Sequence, residues 1–456
     1  VAQVGIEEEF HVIDRKTRRL VPQAPAILGD LSGEGFTAEL HQTVLESNSR
    51  PHRELRSLQE DLVALRAELV AVAGKWDLGV AAVGTVPLAD FGIAALTPNE
   101  RYERIGHTYG ALTREQLICG MHVHVEAEDR DLAVRALPWI APWVPVLLAL
   151  SASSPYWQGA DTGYASWRTQ MWQRWPAAGP VGAFASADEY DAMIAGLVDS
   201  GVLLDAGMLY QDLRLSSHLP TIELRVCDSC PSPETPILVA GLFRALVTHA
   251  LRSAAEAGAA PPPVWPAEWQ RAASWRAARS GLEGPLLDPM RFGAAPAADV
   301  VRGLVAHVRP HLEEFGDWPL ISALVERTLA SGSAAEHQRR AARGWAWEPA
   351  RAVDWVLERT AAAPEWPSLP VPRQRRAETA TPSAGKTVAE GGLSGPSGPS
   401  GPSEPAGPPT PPAARVAPAV REVPGVPAAP GPGVSGLPPV PRVPPVPPVP
   451  TEPSPL

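Results

Sequence analysis

Three consecutive glutamates, Glu7, Glu8 and Glu9, lie inside a run of strand-forming residues from Val4 to Ile13. Side chains of a strand alternate between its faces, so Glu7 and Glu9 share one face with Gly5 and His11, while Val4, Ile6, Phe10 and Val12 line the other. Two like charges side by side repel unless solvent or a cation relieves them. Carboxylate oxygens are what a hard ion such as Mg²⁺ prefers, so the strand reads as a metal platform. The plainer alternative is an exposed edge strand with a solvated acidic face. Gly5 is costly inside a strand and suggests a close approach to the backbone there.

Other strand-like runs offer matching chemistry. Leu117 to Glu126 puts His122 and His124 on one face with Gly120 and Glu126, a pair suited to ligand contact or to plain structural duty. Thr221 to Cys227 puts Thr221, Glu223 and Arg225 on one face and Ile222, Leu224 and Val226 on the other; an acid and a base at that spacing could also form a cross-strand salt bridge. Phe36 to Leu40 and Thr43 to Asn48 read as short strands carrying His41, Glu46 and Asn48. Together these runs predict an α+β fold: a mostly antiparallel sheet with helices packed on one face. The opposite face would carry Glu7, Glu9, Glu46, His122, His124, Glu223 and Arg225. Polar groups gathered on one face of several strands call for a ligand. Carboxylates with a histidine suit divalent ions bridging nucleotide phosphates, and arginines suit a phosphoryl group in transfer.

The elements that must position these residues follow from periodicity. After Pro51, Leu58, Leu62, Leu65, Leu69 and Val72 recur at helical spacing, with Glu60, Asp61, Arg66 and Glu68 on the other faces. Leu78 to Thr85 is a further apolar strand. Leu132 to Leu150 is very apolar but holds Arg135 and is interrupted by Pro138, Pro142 and Pro145, so a kinked core helix is expected rather than a membrane span. Residues 151–185 form a long connection rich in tryptophan and tyrosine, the kind of segment that serves as a binding loop or lid. Helices follow from Pro233, around Trp269, Trp275, Arg276 and Arg279 with an end at Ser280-Gly281, and over Ala298 to Glu313, Leu320 to Ala330 and Ala352 to Thr360. Gly332 to Arg340 is polar and basic, fit for a site mouth or a surface.

Of the 456 residues, 53 are proline, concentrated beyond Ala363, and aromatic residues stop at Trp366. Such a stretch buries too little apolar surface to offset its ordering entropy. The expected division is a folded domain over 1–363 and a disordered Pro/Gly/Ser-rich tail over 364–456. Pro438 to Pro450 has the Pro-x-x-Pro spacing of polyproline II, as spacers and SH3-type ligands do. A net charge of −11 argues against nucleic acid and anionic membrane as partners. Cys119, Cys227 and Cys230 are too few for a disulfide scaffold, and the Cys227/Cys230 spacing lacks a second pair, so it reads as incidental. The chain opens directly into its first strand, and a cytoplasmic protein is expected.

The segments Gly5-Ile6-Glu7-Glu8-Glu9-Phe10, Thr43 to Asn48, Gly120-Met121-His122-Val123-His124, Ser151 to Trp175 and Thr221 to Asp228 resemble the type 2 glutamate-cysteine ligase family, also called carboxylate-amine ligases. The likeness runs from about Val4 to Thr360. It implies a glutamine-synthetase-like fold, a curved antiparallel sheet whose concave face takes ATP, Mg²⁺ and an amino-acid-like substrate. By that resemblance Glu7, Glu9, Glu46, His122 and Glu223 would hold the metal ions. Arg225, Arg168 and Arg214 would face phosphate or a substrate carboxylate, and Arg276, Arg279, Gln338 and Arg339 would serve the nucleotide. The implied chemistry is attack of a carboxylate on the ATP γ-phosphorus, then displacement of phosphate by an amine; weak glutamate-cysteine ligase activity is one form of it. The motifs describe the ATP and metal end better than the acceptor end. A homo-oligomer and an SH3-type partner for the tail stay open. The rival readings are a zinc-dependent hydrolase built on His122 and His124, and a nonenzymatic scaffold acting through the tail.

Overall fold

In the computed structural model, residues 1–256, 264–343 and 348–367 are described. From residue 368 onward the proline-rich tail, with its Pro-x-x-Pro segment, lies outside the described residues.

The first strand, β1 (Val4–Asp14), is the axis of a seven-stranded antiparallel sheet with β2 (Phe36–Ala38), β3 (Val44–Asn48), β4 (Leu78–Ala81) and β5 (Gly120–Glu126). A hairpin of β6 (Tyr156–Trp157) and β7 (Ala160–Asp161) stands apart, and β8 (Leu213–Leu215) and β9 (Thr221–Asp228) complete the sheet. The order is β2-β3-β1-β5-β9-β8, with β4 paired to the far half of β1. Alternation holds from Val4 to Phe10; beyond it both faces of β1 are covered, so that His11 and Ile13 are buried as well as Val12. Ile6, Met121, Val123, Val125, Ile222, Leu224 and Val226 join one large core with the helices Arg130–Ile140, Val144–Ser151 and Glu234–Ala255.

The stretch with three prolines is a kinked core element. Its first helix contains Pro138 and ends at Ile140, a short 3-10 turn spans Ala141–Trp143, and a second helix starts at Val144. Together with Glu234–Ala255 it is apolar and long enough to cross a membrane, yet 78% and 67% of the most apolar windows are buried inside the protein. Both are core helices.

Several expectations are corrected. Arg66, expected on a polar face of the Leu55–Lys75 helix, follows Leu58 and Leu62 on the buried stripe, because it answers a buried acid on β1. Residues 151–185 hold the β6/β7 hairpin and a helix, Trp167–Trp172, capped by the Ser166 side chain. The polar run after Gly332 is likewise a helix, Ala334–Ala342, capped by Ser333. Gly5 is not needed for close approach: a Cβ there would meet Ser49 Oγ at an ordinary 3.7 Å.

Candidate active site

Cross-strand register, more than sequence proximity, assembles the acidic face. Glu9 lies opposite Glu46 across β1/β3, and Glu7 lies opposite His122 across β1/β5. Glu223 faces His124 across β5/β9 and Arg214 across β8/β9. Residues directly opposite in a ladder have side chains on the same face within contact distance, so one face of five adjacent strands presents one continuous polar surface.

Two groups of ligand atoms result. Glu7, His122 and Glu223 each place one donor atom within 4.8 Å of the others, and so do Glu9, Glu39 and Glu46. Glu7 bonds His122 Nδ1 at 2.8 Å and lies 3.1 Å from His124 Nε2. The two histidines therefore turn toward one carboxylate, and His124 gives its other nitrogen to Thr221 Oγ1 at 2.9 Å. That is a poor start for the zinc-hydrolase reading, in which both rings would ligate one ion.

The electrostatics divide the carboxylates. Burial pushes Glu223 up, but Arg225 and Arg214, with the two histidines, outweigh it and hold it well below the carboxylate range. Glu7 is held low in the same way: burial opposes ionisation, and the bonds from His122 and His124 overcome it. The other group goes the opposite way. Burial, then the charge of Glu9, raises Glu39 to about 8. Burial, then the charges of Glu39, Glu7 and Glu9, raises Glu46 well above its ordinary value. Glu39 and Glu46, with Glu9 beside them, form an all-oxygen donor set of the kind a hard divalent cation stabilises.

Apart from Glu223, which is buried and does not line it, these carboxylates border a cleft of about 970 Å³, open mouth included. Glu7, Glu9, Glu39, Glu46 and His122 line it together with Arg168 and Arg225, and Arg101, Tyr102, Gln116, Trp172, Trp175 and Tyr210 form the walls. A second hollow of about 870 Å³ lies at the other end of the same strands, between Gly5, Ile6, Pro51, Leu219 and Pro220. Glu7 lines both.

Arg168 enters the cleft from the 151–185 connection. Its guanidinium donates to the carbonyls of Val226 at 3.1 Å and Arg225 at 3.2 Å and lies over Trp172, 5.6 Å from the ring centre. Gly120 is required here, since a Cβ would collide with that guanidinium. The buried Asp228 carboxylate anchors the connection by accepting bonds from Ser153 N at 2.9 Å and from Ser154 Oγ and Ser166 Oγ at 2.7 Å each.

The structure brings none of the four expected nucleotide residues into either hollow. Gln338 donates to Ser153 O, Arg339 pairs with Asp161 at 2.8 Å, Arg279 donates to Gly163 O, and Arg276 lies against Trp275. Gln338, Arg339 and Arg279 spend their donors bracing residues 153–164, the segment that presents Arg168. Arg214 is committed as well: it bonds Glu223 at 2.7 Å and the carbonyls of Gly207 and Leu209 at 3.0 and 2.8 Å. It buttresses Glu223 and has little left to offer a ligand. Sequence reasoning missed Glu39, Arg101, Gln116 and Tyr210. Only Glu39 left a trace, an acid at the end of the same short strand pair that carries Glu46.

Comparison with known proteins gives the family. Residues 3–355 match glutamate-cysteine ligase family 2 (GCS2). A protein of Frankia casuarinae, provisionally named glutamate-cysteine ligase 2-2, is 52% identical over 341 residues, 75% of this chain and 39% of its own length. A Mycolicibacterium smegmatis protein with the same provisional name is 48% identical over 344 residues, 75% of this chain and 85% of its own. The chain thus spans about two fifths of the two Frankia relatives it matches first, each covered over 39% of its length. Among solved structures, the glutamate-cysteine ligase of Francisella tularensis in complex with AMP superposes with a TM-score of 0.59 at 13% identity, over 79% of this chain and 89% of that one. A bifunctional glutathione synthetase from Pasteurella multocida gives 0.57 at 16% identity, over 79% of this chain and 52% of that one. At such identities the likeness is one of fold: an antiparallel sheet with many helices. The chain belongs to glutamate-cysteine ligase family 2.

Proposed function

We propose that this chain is an ATP-dependent carboxylate-amine ligase that joins an amino-acid carboxylate to an amine through an acyl phosphate. The observation that carries the reading is the convergence of Glu7, Glu9, Glu46, His122 and Glu223, from four strands, beside Arg225 and Arg168. Glu39 belongs to the same set. Mg²⁺ held by these oxygens would neutralise the ATP phosphates and polarise the γ-phosphoryl group.

The protein's own groups then divide the work. Glu223, kept ionised by Arg214 and Arg225, offers a fixed anion beside His122. Arg225, with its backbone on the same strand, faces the cleft and supplies positive charge where the phosphoryl group passes between oxygens. Arg168, Gln116 and Arg101 line the walls where an amino-acid carboxylate would be held. Tyr102, Trp172, Trp175 and Tyr210 limit water access, which would protect an acyl phosphate from hydrolysis. The apolar second hollow suits a nucleotide base, because Glu7 would then stand at the phosphates between the two chambers. The AMP complex of the Francisella ligase supports nucleotide use, and its name supports an amino-acid substrate.

The test is Mg²⁺-dependent ADP release in the presence of amino-acid pairs, with glutamate and cysteine the first pair. Release that needs both partners is the expected result. Turnover of any amide or ester with Zn²⁺ and without ATP would overturn the proposal.

A further inference from the structure

At the end of β9 stands a carboxylate that neither joins the two groups of ligand atoms nor lines the cleft: Asp228, fully buried. One of its oxygens accepts from Ser153 N and Ser154 Oγ, the other from Ser166 Oγ. Each serine hydroxyl has one proton to donate, and both donate it to Asp228. Their lone pairs then accept from the next helix: Ser154 Oγ from the backbone N–H of Arg168 at 3.1 Å, and Ser166 Oγ from that of Thr169 at 3.3 Å. The first turn of the Trp167–Trp172 helix thus hangs on one carboxylate through two hydroxyl relays. Burial pushes Asp228 up, while the charge of Arg168 and the three donors pull it back.

The same strand holds the far end of Arg168. Its guanidinium donates to the carbonyls of Val226 and Arg225, so that Arg168 is fixed by β9 from backbone to tip. Glycines make room at both ends, since a Cβ at Gly84 would strike Asp228 and one at Gly120 would strike the guanidinium. There is a reason to hold it so firmly. Arg168 and Arg225 both lie over Trp172, 5.6 and 5.7 Å from the ring centre. Two cations against one ring repel, and a long stem yields to that repulsion unless it is anchored.

We propose, on the ligase reading in which Arg168 holds an amino-acid carboxylate, that Asp228 is a positioning residue for the carboxylate donor. Through Ser154 and Ser166 it sets where the Arg168 guanidinium stands, and Arg225 over the same ring puts the attacking carboxylate there. A misplacement of about 1 Å is enough to cost on the order of a hundredfold in rate. Asp228 lines neither hollow, so its removal acts through Arg168.

A double-mutant cycle on the full chain tests this, read as ADP release with the amino-acid pair that turns over fastest. Asp228→Asn keeps the side chain's shape but turns an NH₂ group toward one of the three donors. The KM for the carboxylate donor should rise at least roughly tenfold while that for ATP stays within about twofold. Arg168→Lys should do the same, and adding Asp228→Asn to it should cost less than about twofold more, because the group being positioned is already gone. A merely structural role would weaken both substrates alike, or add in full to Arg168→Lys, and either result overturns the proposal. Should Asp228→Asn fail to fold, Ser154→Ala and Ser166→Ala each remove one relay and should raise the donor KM at least about threefold; an unchanged KM in both refutes it. An unaltered chain that releases no ADP with any pair sinks the ligase reading and this role together, whereas an active chain without the coupling sinks this role alone.

Discussion

Neighbouring glutamates on β1 meet opposite fates. Glu8 points into the helical layer, fully buried, where Arg66 donates to both of its oxygens at 2.9 and 2.6 Å and spends its other donors on the carbonyls of Pro231 and Cys230. That charge is balanced from within. On the other face, Glu9 shares its neighbourhood with Glu39 and Glu46, and two of these three acids are pushed upward by burial and by each other. One face satisfies its carboxylate with protein and so serves stability. The other gathers acids bonded by neutral donors, Gly120 N to Glu9 and Thr37 and Asn48 to Glu46, and leaves negative charge that a cation would neutralise.

The largest effect is expected on the closed face. Arg66→Ala leaves Glu8 buried and unpaired, which costs about 3–5 kcal/mol. Urea unfolding should show this as a lower midpoint, and an unchanged midpoint would remove the contrast. Next, Glu7→Gln should keep the melting temperature within a few degrees while ADP release falls by at least roughly a hundredfold, since even outer-shell partners of a metal cost 10–100-fold.

Glu46→Gln should sharpen the contrast by going the other way. It should stabilise the Mg²⁺-free protein by relieving repulsion, and it should weaken Mg²⁺ binding, both readable by thermal unfolding across a Mg²⁺ series. The parent should also lose stability with rising pH. Between the ordinary glutamate value of 4.5 and about 8, folded Glu39 holds a proton that the unfolded chain has released. The folded state then binds more protons, so the free energy of unfolding falls as pH rises through that window. Mg²⁺ should flatten the slope, and a metal-free protein whose stability rises over the window would contradict the reading. The smallest effect is expected from Arg276→Ala, which touches neither hollow: the KM for ATP should stay within twofold.

The sheet and its polar face were legible because strand alternation has a period of two and depends on nothing distant. Glu7, Glu9, Glu46, His122 and Glu223 were all reachable that way. Arg101 stands on a helix and Glu39, Gln116 and Tyr210 on connections, where no such period marks the side facing the cleft. Arg66 was misplaced for another reason. Charge alone suggests exposure, and its partner Glu8 lies 58 positions away. The glycine signal was sound in kind but misassigned: Gly120 and Gly84, rather than Gly5, sit where a Cβ would strike Arg168 and Asp228.

Glu7 forms part of the wall between two chambers, so whatever occupies one alters the field felt in the other. Under the proposed ligase reading, nucleotide and amino acid would then change each other's affinity by the same factor. A single carboxylate at a partition would make the two substrates report on one another before any bond is made.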